Sequence, residues 1–228
     1  MKNTFLNLAL TLVASIVIFS SCKKNSDEPA KVYSNVLVAH ASPNAPGVDL
    51  LIDGVKINSS ALAFPSNTGY LMVESGTRNV KVNVSGTSTS VINADLTLEK
   101  DKNYSVFAVD SVSKISALVL TDDLTAPATG KAHVRFVHLS PNAPAVDVAV
   151  ASSGAVVFAN KAFKTNTPFT PLDAGVYNLD VRVAGTSTVA LVLPTITLQA
   201  GKIYTVIAKG FLGGTGAQAL GAEIVVNK

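Results

Sequence analysis

The chain has 228 residues, of which 48% are hydrophobic and only 14% charged, with 18 Lys and Arg against 15 Asp and Glu. That is too much apolar mass for a disordered chain. A formal net charge of +3 supplies none of the clustered positive charge that nucleic acid demands, so no nucleic-acid partner is expected. One Cys, no Trp and three His exclude an intrachain disulfide and a cysteine-cluster metal site, and no metal or cofactor is expected.

Residues 1–21 read as a secretion signal. Lys2 gives the positive start, residues 6–19 form an apolar run interrupted by Asn7, Thr11 and Ser15, and Ser20 and Ser21 supply a small-residue cleavage site. The run is shorter than the roughly 20 residues of a bilayer span. Cys22 follows directly, and Phe19-Ser20-Ser21-Cys22 resembles a bacterial lipobox with Phe where Leu is commonest. The resemblance implies a thioether-linked diacylglycerol and an N-acyl chain on Cys22. At about 0.8 kcal/mol per buried methylene, two or three acyl chains anchor a protein to a membrane without spanning it. The alternative is ordinary cleavage with an incidental cysteine. Residues 22–34 are polar and aperiodic, a flexible tether. Residues 23–28 also resemble the short acidic signals that follow lipidated cysteines in surface lipoproteins of Bacteroidetes. The expected location is the cell outer membrane, with the surface and periplasmic faces both open.

Beyond the tether the sequence repeats. His40-Ala41-Ser42-Pro43-Asn44-Ala45-Pro46-Gly47-Val48-Asp49 returns as His138-Leu139-Ser140-Pro141-Asn142-Ala143-Pro144-Ala145-Val146-Asp147. Gly86-Thr87-Ser88-Thr89 returns as Gly185-Thr186-Ser187-Thr188, and residues 98–104 as 198–204. Within each copy the period is two: Val80, Val82 and Val84 alternate with Asn79, Lys81 and Asn83, and Leu179, Val181 and Val183 with Asp180 and Arg182. Residues 36–40, 48–52, 70–74, 91–98, 104–109 and 115–121 are further strand candidates, separated by Gly, Pro, Asn, Ser and Asp clusters. The pattern predicts an all-β protein of two tandem antiparallel β-sandwiches, immunoglobulin-like or Greek-key, at 35–126 and 132–228 with a linker at 127–131. A Leu, a tight turn and a Tyr opening the next strand, at Leu98 to Tyr104 and Leu198 to Tyr204, predict a tyrosine corner in each copy. The linker permits packed or hinged copies alike.

The doubled His-x-Ser-Pro-Asn-Ala-Pro-x-Val-Asp signature, each time before a β-rich segment, resembles the bacterial domain-of-unknown-function family numbered 4397 over roughly residues 35–225. The resemblance implies a secreted or envelope protein with tandem copies. It brings no activity, substrate or catalytic residue. Asp53-Gly54 after the first motif becomes Ser153-Gly154 after the second, so a role for Asp53 is not shared.

His40, Asn44 and Asp49, with His138, Asn142 and Asp147, are the candidate loop site. They could hold a ligand or act as acid and base. The histidines, however, share strand parity with Val36 and Val38, and with Val134 and Phe136, which places them toward a core. The aspartates, on the opposite parity to Val48 and Val146, are expected to accept backbone amides of the Pro-Asn-Ala-Pro loop. One acid per loop does not make a calcium site. Gly214-x-Gly216-x-x-Ala219 matches a dinucleotide fingerprint formally, but only nine residues follow Ala219 and they end in a strand-like run, so it reads as a glycine-rich hairpin loop. No Gly-x-Ser-x-Gly elbow is present, and no catalytic residue is assigned. Asp110-Ser111-Val112 resembles a short O-glycosylation acceptor motif. The leading expectation is a non-enzymatic, lipid-anchored interaction or spacer module with a protein or glycan partner. A glycan-binding accessory lipoprotein of a nutrient-uptake system, stacking sugar on Tyr70, Phe163, Phe169 or Tyr177, is the alternative, and a hydrolase the third.

Overall fold

A computed structural model describes residues 30–228; Cys22 and the readings of residues 1–29 lie outside the described residues. Lys31–Lys228 form one compact unit. The alternating segments are strands. The first copy supplies β1 (Tyr33–His40), β2 (Val48–Ile52), β3 (Val55–Lys56), β4 (Ser66–Glu74), β5 (Gly76–Val84), β6 (Ser90–Leu98), β7 (Asn103–Val109) and β8 (Ser116–Asp122). The second supplies β9 (Lys131–His138), β10 (Val146–Val150), β11 (Val156–Lys161), β12 (Thr170–Asp173), β13 (Gly175–Tyr177), β14 (Leu179–Val183), β15 (Val189–Val192), β16 (Ile196–Leu198), β17 (Ile203–Lys209) and β18 (Gly221–Val226). Among the described residues no helix is long and apolar enough to cross a membrane.

Each copy is a sandwich of an inner and an outer sheet. Inner sheets run β4-β1-β7-β8 and β12-β9-β17-β18; outer sheets run β3-β2-β5-β6 and β11-β10-β14-β15, with β13-β16 a separate pair. Every ladder is antiparallel except β1 on β7 and β9 on β17, which are parallel. Val36, Val38, Tyr104 and Val106 of the first inner sheet pack on Val48, Leu50 and Val82 of its outer sheet. Val134, Phe136, Tyr204 and Val206 do the same in the second copy against Val146, Val148 and Val181.

The inner sheets are buried on both faces. Leu37, Ala39, Phe107 and Val109 turn away from their own outer sheet and meet Val137, Leu139, Ile207 and Val225 of the other copy. The molecule is thus four sheets deep, outer-inner-inner-outer, and the copies are packed rather than hinged. This explains why residues 36–39 read Val-Leu-Val-Ala without a polar alternate: a strand covered on both sides has no wet face to encode.

The copies differ at Pro194, which occupies the position of Ala94 in β6. Proline has no N–H for the ladder, so the strand that is continuous in β6 is divided into β15 and β16. Leu193 N–H still reaches Leu179 O, and Thr195 Oγ1 closes the gap by donating to Asn178 Oδ1 at 2.7 Å.

Candidate functional site

Strands β1, β7, β9 and β17 all run toward one end of the stack. Lys164, whose N–H bonds His138 O at the end of β9, reaches Asp110 just beyond β7 at 3.2 Å, and Lys209 at the end of β17 lies over the Phe64 ring near His40. At the opposite end Lys228 Nζ donates to Leu124 O. Both Ser-Pro-Asn-Ala-Pro loops therefore stand at the end away from Lys31, where the chain enters.

The loops are built by the motif side chains. His40 and His138 are each at most 2% exposed, and their Nε2 atoms bond Pro46 O and Pro144 O at 3.0 Å, closing the loop back on its own strand. Burial pushes both imidazoles below the ordinary histidine value of 6.5. Asn44 Oδ1 accepts from Val112 N–H at 2.8 Å, and Asn142 both accepts from Leu212 N–H and donates to Leu212 O, tying each loop to the β7–β8 or β17–β18 connection. The aspartates correct the expectation made of them. Asp49 takes Gly86 N–H, the Ser85 hydroxyl and an ion pair with Lys56 at 2.9 Å, and Asp147 takes Asn160 and Gly185 N–H. They hold the Gly-Thr-Ser-Thr turns rather than their own loops, because outward parity on β2 and β10 aims them across the sheet at the tips of β5 and β14. Lys56 and Gly86 N–H hold the Asp49 carboxyl below its usual range; Asn160 and Gly185 N–H do so for Asp147. The two repeated motifs are thus one hydrogen-bonded unit, in which each histidine and aspartate makes at least one bond to backbone while His40 Nδ1 has no partner among the described residues. The unshared Asp53 accepts from Asn79 N–H and pairs with Arg78.

An apolar cavity of about 340 Å³ lies beneath the second loop, between Pro144, Val181, Val189, Ala190, Leu212 and Leu220. Its lid, residues 210–220, is the glycine-rich hairpin loop expected from sequence, with a 3-10 turn at Gly216–Gln218. Gly210, at φ +82°, passes so close to Ala219 that a Cβ would stand 2.1 Å from its carbonyl oxygen. The corresponding connection of the first copy, residues 110–115, is shorter and carries a 3-10 turn at Val112–Lys114. Leu212 and Val189, 46% and 45% exposed, carry the cavity's apolar lining to the surface.

The family model described as Domain of unknown function (DUF4397) matches residues 34–149 and 150–224. The chain belongs to the DUF4397 family. No curated protein matches it. Among solved structures it is similar to the Bacillus anthracis TIE protein, at 11% identity and TM-score 0.25 over 78% of this chain; the chain spans 34% of that protein's length. It is also similar to CBMbc (family CBM26) from Eubacterium rectale Amy13K, solved in complex with maltoheptaose, at 10% identity and TM-score 0.23 over 84% of this chain and 95% of that one. At such TM-scores neither likeness carries an argument.

Between the two copies of this DUF4397 chain lies a polar cluster that the motifs did not announce. Arg135, 2% exposed, donates to Asp122 Oδ1 at 2.6 Å, to Ser105 Oγ at 3.1 Å and to Thr205 Oγ1 at 3.0 Å. Ser105 and Tyr70 hydroxyls donate to Asp122 Oδ2, Thr205 to Asn227 Oδ1, and Asn227 Nδ2 to the Tyr70 oxygen. Burial and the Asp122 carboxylate push the Tyr70 phenol up. An open polar groove of about 1020 Å³ at the entry end exposes the edge of this cluster between Asn35, Lys102, Asn103 and Lys228. The one sequence signal for it is Arg135, a charge amid the apolar residues of β9 where the first copy carries Leu37. Of the aromatic candidates, Tyr70 and Phe169 border the same Asp122–Arg135 cluster. Tyr70 belongs to the cluster, Phe169 lies under Arg135, Phe163 packs by His138 and Lys164, and Tyr177 donates to Asp173 O. Among the described residues no group of three or more His, Cys, Asp or Glu could hold a metal.

Proposed function

We propose that the chain is a non-enzymatic, lipid-anchored protein of the cell envelope whose packed sandwich pair is an interaction module, tethered through Cys22 and residues 23–30 and binding a protein partner at its far end. One observation carries this reading: the motif's acids and imidazoles are engaged with backbone, while the same end carries an apolar cavity to the surface at Leu212 and Val189. A surface of that kind gains by being covered. Tyr70, Phe163, Phe169 and Tyr177 are all half-buried and each already engages a neighbouring group, which counts against the glycan alternative.

The test has two parts. Cys22→Ala should move the protein from the membrane to the soluble fraction, and protease applied to intact cells reads the leaflet; an Ala variant that still fractionates with membranes removes the anchor. A photo-crosslinking residue at Leu212 should then give a discrete protein adduct in cells that Val189→Glu abolishes. No adduct, or one indifferent to Val189→Glu, overturns the binding reading.

A further inference from the structure

The faces that join the two copies are built from equivalent positions filled with unlike residues. Register fixes the equivalences. Leu37 stands beside Ser105 as Arg135 stands beside Thr205. Tyr70 pairs with Leu37, while Phe169, one residue before the Thr170 that pairs with Val134, lies under Arg135 with its ring centre 4.4 Å from the guanidinium carbon. Asp122 stands opposite Asn103, and Asn227 opposite Ile203, to whose carbonyl its N–H donates. In each copy the residue at the strand end bonds the neighbouring hydroxyl, Ser105 to Asp122 and Thr205 to Asn227. One layout therefore serves both faces, but the first carries the carboxylate with no cation and the second the cation with no carboxylate.

We propose that Arg135 and Asp122 form a pairing code: it lets the first copy close on the second and bars either copy from closing on its own kind in another chain. Two first-copy faces brought together would bury two Asp122 carboxylates against Leu37. Two second-copy faces would bury two Arg135 guanidinium groups against Asn227. A buried charge without a counter-charge is strongly disfavoured. The apolar residues around the cluster supply no such choice, because Leu37, Ala39, Phe107 and Val109 are alike in kind to Val137, Leu139, Ile207 and Val225, and apolar burial is non-directional. A tandem duplication needs the choice, since like faces on neighbouring chains could otherwise associate and propagate. The second copy of a neighbouring chain satisfies the code as well, but residues 123–130 hold the chain's own second copy at a far higher effective concentration.

The experiment compares the full-length chain in detergent, wild type and variants, by light scattering over a wide concentration range. Wild type is expected to stay monomeric. The variant Arg135→Leu, Asn227→Asp gives both faces the layout of the first copy, and the variant Leu37→Arg, Asp122→Asn gives both the layout of the second. Neither is expected to close on itself or on its own kind, and the two mixed are expected to form a complex of twice the monomer mass. The variant Leu37→Arg, Asp122→Asn, Arg135→Leu, Asn227→Asp moves the ion pair to the equivalent positions, and is expected to return to a folded monomer. A mixture that stays at monomer mass, or either two-substitution variant associating with its own kind, overturns the proposal. If the two-substitution variants fail to fold, the relocated pair decides: a folded monomer supports the code, and an unfolded or aggregated chain overturns it.

Discussion

At the scale of single residues, the side chains that looked chemically active hold the fold together, and the residue with most at stake is one the motifs do not contain. Arg135→Leu leaves Asp122 buried with hydroxyls but no cation, and should destabilise the chain by about 3–5 kcal/mol in denaturant unfolding; adding Asp122→Asn should recover most of that loss. Each tyrosine corner is a single contact, Glu99 N–H to the Tyr104 oxygen at 3.0 Å and Gln199 N–H to Tyr204 at 3.1 Å. Tyr104→Phe should cost about 1 kcal/mol by the same measurement, since it orphans a part-buried amide. The histidines set a pH dependence. Burial holds His40 and His138 neutral, so their folded values lie below 6.5 while the unfolded chain titrates near 6.5. As pH falls through about 6.5 the unfolded state binds protons first. The stability due to these groups is therefore complete above that pH and declines below it, toward the depressed folded values. A melting temperature that stays level from about pH 8 to about pH 5 would contradict this.

At the scale of elements, alternation and turn chemistry made the sandwiches legible. Val80 to Val84, the tyrosine corners and the glycine-rich hairpin loop all lie where period and spacing put them. The partners of Asp49 and Asp147 were not legible, because parity says which way a side chain points but not which turn of a neighbouring strand lies there. Nor was the packing of copy on copy, although Val36-Leu37-Val38-Ala39 and the exchange of Leu37 for Arg135 were in view. A run covered on both faces looks the same whether the second cover is a helix, a sheet or another chain. The cavity lies against the longer of two corresponding connections, 210–220 against 110–115, and that difference falls beyond the last repeated segment, 98–104 and 198–204. Its lid depends on the close passage at Gly210. Gly210→Ala combines a positive φ with a 2.1 Å approach to Ala219 O, and should cost about 2 kcal/mol or more in thermal unfolding. Wild-type stability in that variant would mean the lid is not held as described.

At the scale of the molecule, two sandwiches whose inner sheets pack face to face should behave as one cooperative body, and this is what aligns both motif loops at the end away from Lys31. Hydrogen exchange on the full chain tests that most directly. The amides of β1, β7, β9 and β17 should form a single slowest-exchanging group, and Arg135→Leu, a change in the second copy, should lower protection in β1 and β7 as much as in β9 and β17. Separate rates for the two copies, or a loss confined to the second, would mean that the chain is two independent domains on a string and that its far end is not one surface.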